Sequence, residues 1–189
     1  MRRLWQAAAL CLTMGCAMGA SEGGVGFSWD APRVERSIFK RDLGMLDTER
    51  EEYATNLANL AANAVALAKA SPASLADARR MLALALQLSP RNKRAVVVNF
   101  QLGKGVLPEK TETDYSPQVF ARLILTRGQL LEKQGGEDNL TLARYFIQLA
   151  AELDPKNEDA VYASEVQRLD LGAVDWAALT DAAKEEAKP

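Results

Sequence analysis

The sequence predicts an all-α fold, an α–α solenoid-like array of about six to seven helices, and three observations predict it. Apolar residues recur at helical spacing over most of the chain after Asp47. Proline and glycine divide that pattern into pieces of helix length, and one stretch of it returns 65 residues later, where Ala78 is matched by Ala143. No segment alternates with period two for long enough to read as a strand.

The first helix begins near Asp47. Thr48 and Glu51 have capping-box spacing, in which hydroxyl and carboxylate each accept an otherwise unpaired backbone N–H. Tyr53, Leu57, Leu60, Ala61, Ala64, Leu67 and Ala68 form its apolar stripe, and Ser71-Pro72 breaks it. A second helix runs from about Leu75 to Leu88 and stops before Pro90; a third runs from about Asn92 to Lys104. Gly105–Tyr115 reads as a polar loop carrying Pro108. Ser116-Pro117 has the form of an N-cap with proline at the first helical position, and the fourth helix it opens ends at Gly135-Gly136. A fifth covers about Leu140 to Leu153, before Pro155, and a sixth about Glu158 to Leu171, closed by Gly172. Asp175 caps a last short helix through about Lys184. Upstream, Phe27–Lys40 reads either as an extended lead-in or as a short helix, docked through Phe27, Trp29, Val34, Ile38 and Phe39.

The repeat is the strongest of these signals. Between Ala78–Val96 and Ala143–Val161, identical residues include Ala78/Ala143, Arg79/Arg144, Leu84/Leu149, Ala85/Ala150, Leu88/Leu153, Pro90/Pro155, Asn92/Asn157, Ala95/Ala160 and Val96/Val161. Each copy places alanine, a bulky aliphatic, alanine and then proline, so that small residues admit a neighbouring helix, the large one fills the gap and proline ends the helix. This pattern resembles the second helix of a tetratricopeptide repeat (TPR) and the turn after it. The resemblance covers roughly residues 47 to 172. It implies stacked helix pairs whose first helices line a concave groove that holds peptides, and it departs from the family in the first helices, where Gly128 and the Lys133-Gln134-Gly135 turn are partial echoes. The Gly105–Tyr115 loop stands where one helix of such an array would fall. The alternative is an irregular helical bundle that uses the same helix-turn chemistry.

The N-terminus reads as a signal peptide over residues 1–20: basic Met1-Arg2-Arg3, an apolar stretch from Leu4 to Met14, then small residues. That apolar stretch is about half the roughly 20 residues a membrane-spanning helix needs. Cleavage after Gly19 or Ala20 is one reading; the other is a degenerate lipobox at 12–16, with Cys16 lipidated and providing membrane association. Residues 21–46 are then a linker and lead-in, 47–172 the helical repeat domain, and 173–189 a short helix and tail. Cys11 and Cys16 are the two cysteines, so the mature chain has no internal disulfide and relies on its core. With Arg2 and Arg3 removed, the 25 acidic residues outnumber the basic ones, which argues against a nucleic-acid partner. The chain has no histidine, which excludes histidine-dependent triads and metal sites, and it has no paired cysteines for zinc or iron–sulfur ligation. Neither a cofactor nor a metal is expected.

Two features point to binding. Glu52, Asn56, Asn59 and Asn63 fall within about 60° of arc on the first helix. Asparagine is a mediocre helix former, while its carboxamide both donates and accepts, which suits the backbone of an extended peptide. Asn99 on the third helix is a further candidate, and a neutral solvated face is the competing reading. The second feature is the basic turn Arg91-Asn92-Lys93-Arg94, with Arg79 and Arg80 before it. Lys93 and Arg94 sit at a helix start, where the dipole disfavours cations, whereas the other copy carries the favoured Glu158 and Asp159; a helix N-terminus with added basic side chains is a natural anion site. Its alternative reading is a screened charge cluster. An enzyme would have to rely on carboxylates such as Glu109, Glu112 and Asp114, in a loop without apolar residues to raise a pKa. The expected function is therefore non-enzymatic: an exported scaffold or adaptor that binds a protein or peptide in the cell envelope through Asn56, Asn59, Asn63, Asn99, Lys93 and Arg94. The alternatives are a carboxylate-dependent envelope hydrolase and a purely structural subunit of an envelope assembly.

Overall fold

A computed structural model describes residues 26–35, 37–39 and 43–182. The signal peptide at 1–20, with the lipidation candidate Cys16, lies outside the described residues, as does the tail from 183. The protein is all-helical: α1 (Asp47–Leu67), α2 (Pro72–Leu88), α3 (Lys93–Gly103), α4 (Pro117–Gln134), α5 (Glu137–Leu153), α6 (Glu158–Leu171) and α7 (Trp176–Thr180). None of these helices is long and apolar enough to cross a membrane.

Local chemistry sets most helix ends. Ser71 and Ser116 each cap the helix that follows, with proline in its first turn. Ser71-Pro72, expected only as a break, therefore also starts α2 three residues before the predicted Leu75. Asn92 and Asn157, which a 65-residue shift of the sequence aligns, cap α3 and α6 by accepting from the amides of Ala95 and Ala160 at 2.9 and 3.2 Å. The capping box expected at Thr48 and Glu51 does not form, because Leu46 occupies the N-cap and makes no side-chain bond. Glu51 instead takes bonds from the Ser89 hydroxyl and, at 2.8 Å, from the Asn92 amide, so it anchors the turn between α2 and α3. At the other end, α7 stops at Thr180 rather than near Lys184.

The helices group as two hairpins, α1·α2 and α4·α5, each followed by a third helix. α2 and α5 are both 17 residues long, and both their starts and their ends lie 65 residues apart. α3 packs against both α1 and α2, whereas α6 packs chiefly on α5 and buries only Ala160. Gly128 sets the spacing of the second hairpin: a Cβ there would lie 2.8 Å from Ile147 Cγ1 and 3.3 Å from the carbonyl oxygen of Ala143. Ala85 and Ala150 are both fully buried. Ala85→Leu and Ala150→Leu are each expected to lower stability by about 1–3 kcal/mol through overpacking, read from the shift in urea midpoint.

The two halves, and the lead-in and α7, are tied together by side chains and backbone hydrogen bonds. Arg80 pairs with Asp77 and Glu152 and lies 5.0 Å from the Trp176 ring, which in turn meets Tyr145 edge-on. The described lead-in is extended rather than helical; Arg33 and Glu35 donate backbone N–H to the carbonyls of Thr180 and Ala182. Phe39 is buried, and Phe27, Trp29, Val34 and Ile38 pack against the core. Arg79 bonds the Asp30 carbonyl and the Asp181 carboxylate, and burial and ion pairing absorb Arg79 and Arg80 into the fold rather than into an anion site.

Candidate peptide grooves

Of the expected binding residues, Asn59, Asn63 and Arg94 converge. They lie where α1 meets α3, with Arg94 bonding Asn59 directly, and Thr111 of the chain's own Gly105–Tyr115 loop reaches both Asn63 and Arg94. The Asn63 amide donates to the Thr111 carbonyl at 2.9 Å, and its carbonyl accepts the Thr111 N–H at 2.9 Å. One carboxamide thus satisfies both backbone groups of a residue in a non-helical segment. Arg94 Nε donates to Asn59 Oδ1 at 2.7 Å, and its Nη2 donates to Thr111 Oγ1 at 2.9 Å. Pro108 is buried and Leu107 packs on the core, while Glu109, Lys110 and Glu112 face solvent. Arg94 is half-buried, and desolvation pulls its pKa below the ordinary arginine value.

The other expected members do not join this cluster. The Asn56 amide turns back to the carbonyl of Glu52 within its own helix, at 2.9 Å. Asn99 lies five residues beyond Arg94, well round the helix, and accepts from the Trp29 indole at 2.9 Å, so it holds the lead-in. Lys93 is exposed and lines, with Glu51, Thr55, Asn92, Arg94 and Val97, an open hollow of about 360 Å³ next to the cluster. The loop carboxylates Glu109, Glu112 and Asp114 are all exposed. Among the described residues, no group of three or more acidic, cysteine or histidine side chains is placed to hold a metal.

A second groove, not foreseen from the sequence, lies in the matching place in the second half. Because α6 packs chiefly on α5, a gap of about 810 Å³ opens between α4 and α6. α4 contributes Arg122, Thr126, Gln129 and Glu132; the turn contributes Asp154, Lys156 and Asn157; α6 contributes Asp159, Tyr162, Val166 and Gln167. Gln167 reaches across to Glu132 at 2.6 Å, and Tyr162 is 73 % exposed. The signal available in the sequence was its self-match: shifted by 65, Asn92 and Arg94, beside the first hollow, align with Asn157 and Asp159 of the second. Arg122, Thr126 and Gln129 share one helix face, but only the splay of α6 turns that face into a groove wall. Comparison of the chain with models of known protein families, with curated proteins and with solved structures gives no significant match.

Proposed function

We propose that this chain is an exported, TPR-like scaffold or adaptor that binds an extended segment of a protein partner in the cell envelope, between α4 and α6. One observation carries the reading: at the matching place between α1 and α3, a helix-face carboxamide already holds the backbone of a non-helical residue, through the paired bonds of Asn63 to Thr111. The open groove offers the same kind of lining, with carboxamides and mixed charges around an exposed tyrosine, which suits main-chain hydrogen bonding and an aromatic anchor. The matched Pro-x-Asn turns and the equal lengths of α2 and α5 support a repeat-built array. Export rests on the residues 1–20 alone.

The test has two arms. Fractionation with N-terminal sequencing is expected to find the protein outside the cytoplasm, starting at Ala20, Ser21 or lipid-modified Cys16; an intact Met1 in the cytoplasm would reject export. For binding, a photocrosslinking residue at Tyr162 or Gln129 of the mature protein is expected to capture a partner in envelope extract, while one at the exposed Leu67 does not. Tyr162→Ala should then weaken that partner's affinity by about tenfold or more, as loss of an aromatic anchor does. Equal capture from all three positions would reject the groove. The exposed Tyr162, Leu169 and Leu171 on α6 favour a second reading, a structural subunit, for which the crosslinked product would be another copy of this chain.

A further inference from the structure

We infer that the α1–α3 groove is a second peptide site, held closed by the protein's own Val106–Thr113 segment. In this reading it opens to an extended peptide that carries a carboxylate side chain three residues after a proline. The inference deepens the scaffold reading, but it concerns a different groove and stands or falls separately from the α4–α6 site.

The spacing follows from the segment now bound. Pro108 is its buried anchor, and Thr111, three residues on, makes its polar contacts with the helices. Thr111 sits at the surface, as do Glu109, Lys110 and Glu112, but these three make no bond to Asn63 or Arg94 among those described and so leave sequence freedom in a ligand. Asn63 reads only backbone, so it accepts any residue except proline in the Thr111 place. Arg94 reads the side chain. Its described partners are the neutral oxygens of Asn59 and Thr111, so a half-buried guanidinium faces the groove without a carboxylate. A carboxylate in the threonine's place forms a charge-assisted bond, about twice as strong as a neutral one. The internal segment is therefore a weaker ligand in chemistry that prevails through tethering, since a short tether gives an effective concentration of order millimolar. A partner segment with the better side chain can displace it, and the hollow beside Arg94 leaves room for such a chain to continue past Lys93.

The experiment uses the mature chain and a labelled synthetic peptide of the Val106–Thr113 sequence carrying Thr111→Asp, read by fluorescence anisotropy. A variant whose residues 106–113 are replaced by a Gly/Ser linker of equal length is expected to bind this peptide at least tenfold more tightly than the unaltered protein. The peptide with the native threonine should bind that variant about tenfold more weakly, and Arg94→Gln in the variant should remove the difference between the two peptides. Equal affinity for both peptides, or no binding by a folded variant, would overturn the inference. Where circular dichroism shows the linker variant unfolded, hydrogen exchange in the full chain decides. Thr111→Asp should then slow exchange of the position-111 amide by about tenfold relative to its intrinsic rate, with the gain shrinking as salt rises. Unchanged protection at low salt would overturn the inference equally. Loss of peptide binding here leaves crosslinking at Tyr162 unaffected, and the reverse holds.

Discussion

Phe146→Ala is expected to lower the stability of the protein by about 3–5 kcal/mol, the usual range for removing a fully buried aromatic side chain. That is a large share of the roughly 5–15 kcal/mol that holds a domain together. The position amplifies the effect. Phe146 on α5 lies 5.3 Å from the ring of Tyr53 on α1, and Tyr53 also lies 6.1 Å from Phe120 on α4. The three tilted rings join the first helical unit to the second, so the cavity opens at the junction rather than inside one hairpin. Urea denaturation measures the loss, and Phe100→Ala is the control. Phe100 is 65 % exposed, with Lys104 above its ring, and its removal is expected to change stability by no more than about 0.5 kcal/mol. A similar loss for both would mean that the rings do not form a junction.

Arg127→Ala is expected to cost about 2–3 kcal/mol, the second largest effect. The Arg127 side chain on α4 is 11 % exposed; it pairs with Glu49 of α1 at 2.9 Å and donates to the carbonyl of Gly44. Gly44 is also held through its N–H, by Asn139 of α5 at 2.8 Å, and its α-hydrogen faces Gln134, so a side chain there would collide with the glutamine. Removing Arg127 strands a half-buried carbonyl and frees a carboxylate, although Glu49 is 30 % exposed and water recovers part of the loss. Arg127→Met should cost less than Arg127→Ala. It keeps the packing of the stem and removes a buried Nε that has no partner. Thermal melts of the two variants check the order; a methionine variant less stable than the alanine one would contradict it.

How much of this was legible depended on the range of each interaction. Proline, serine and asparagine act within four residues, so Ser116-Pro117 and the two Pro-x-Asn turns announced helix ends that the structure contains. Ser71-Pro72 was legible only in part, because the same pair ends one helix and opens another. The Thr48/Glu51 spacing misled because Glu51 has stronger partners in Ser89 and Asn92, 38 and 41 residues away. For the candidate site, the sequence placed Asn59 and Asn63 on one face of α1 but could not say what that face meets. Asn99 carries the same side chain and was drawn away by Trp29, 70 residues distant.

By itself, then, the sequence determined the helices, their order and the internal match between the two halves. Each of these rests on local periodicity and on caps made by neighbouring residues. Only the tertiary structure decided that the lead-in is extended, because the carbonyls that pair with Arg33 and Glu35 come from Thr180 and Ala182 at the far end of the chain. It also decided that the first groove is closed by Thr111 while the second stays open. The second gap exists because α6 packs chiefly on α5, whereas α3 packs against both helices of its hairpin. No local pattern encodes such a splay, since it depends on which side chains meet across helices brought together only by folding.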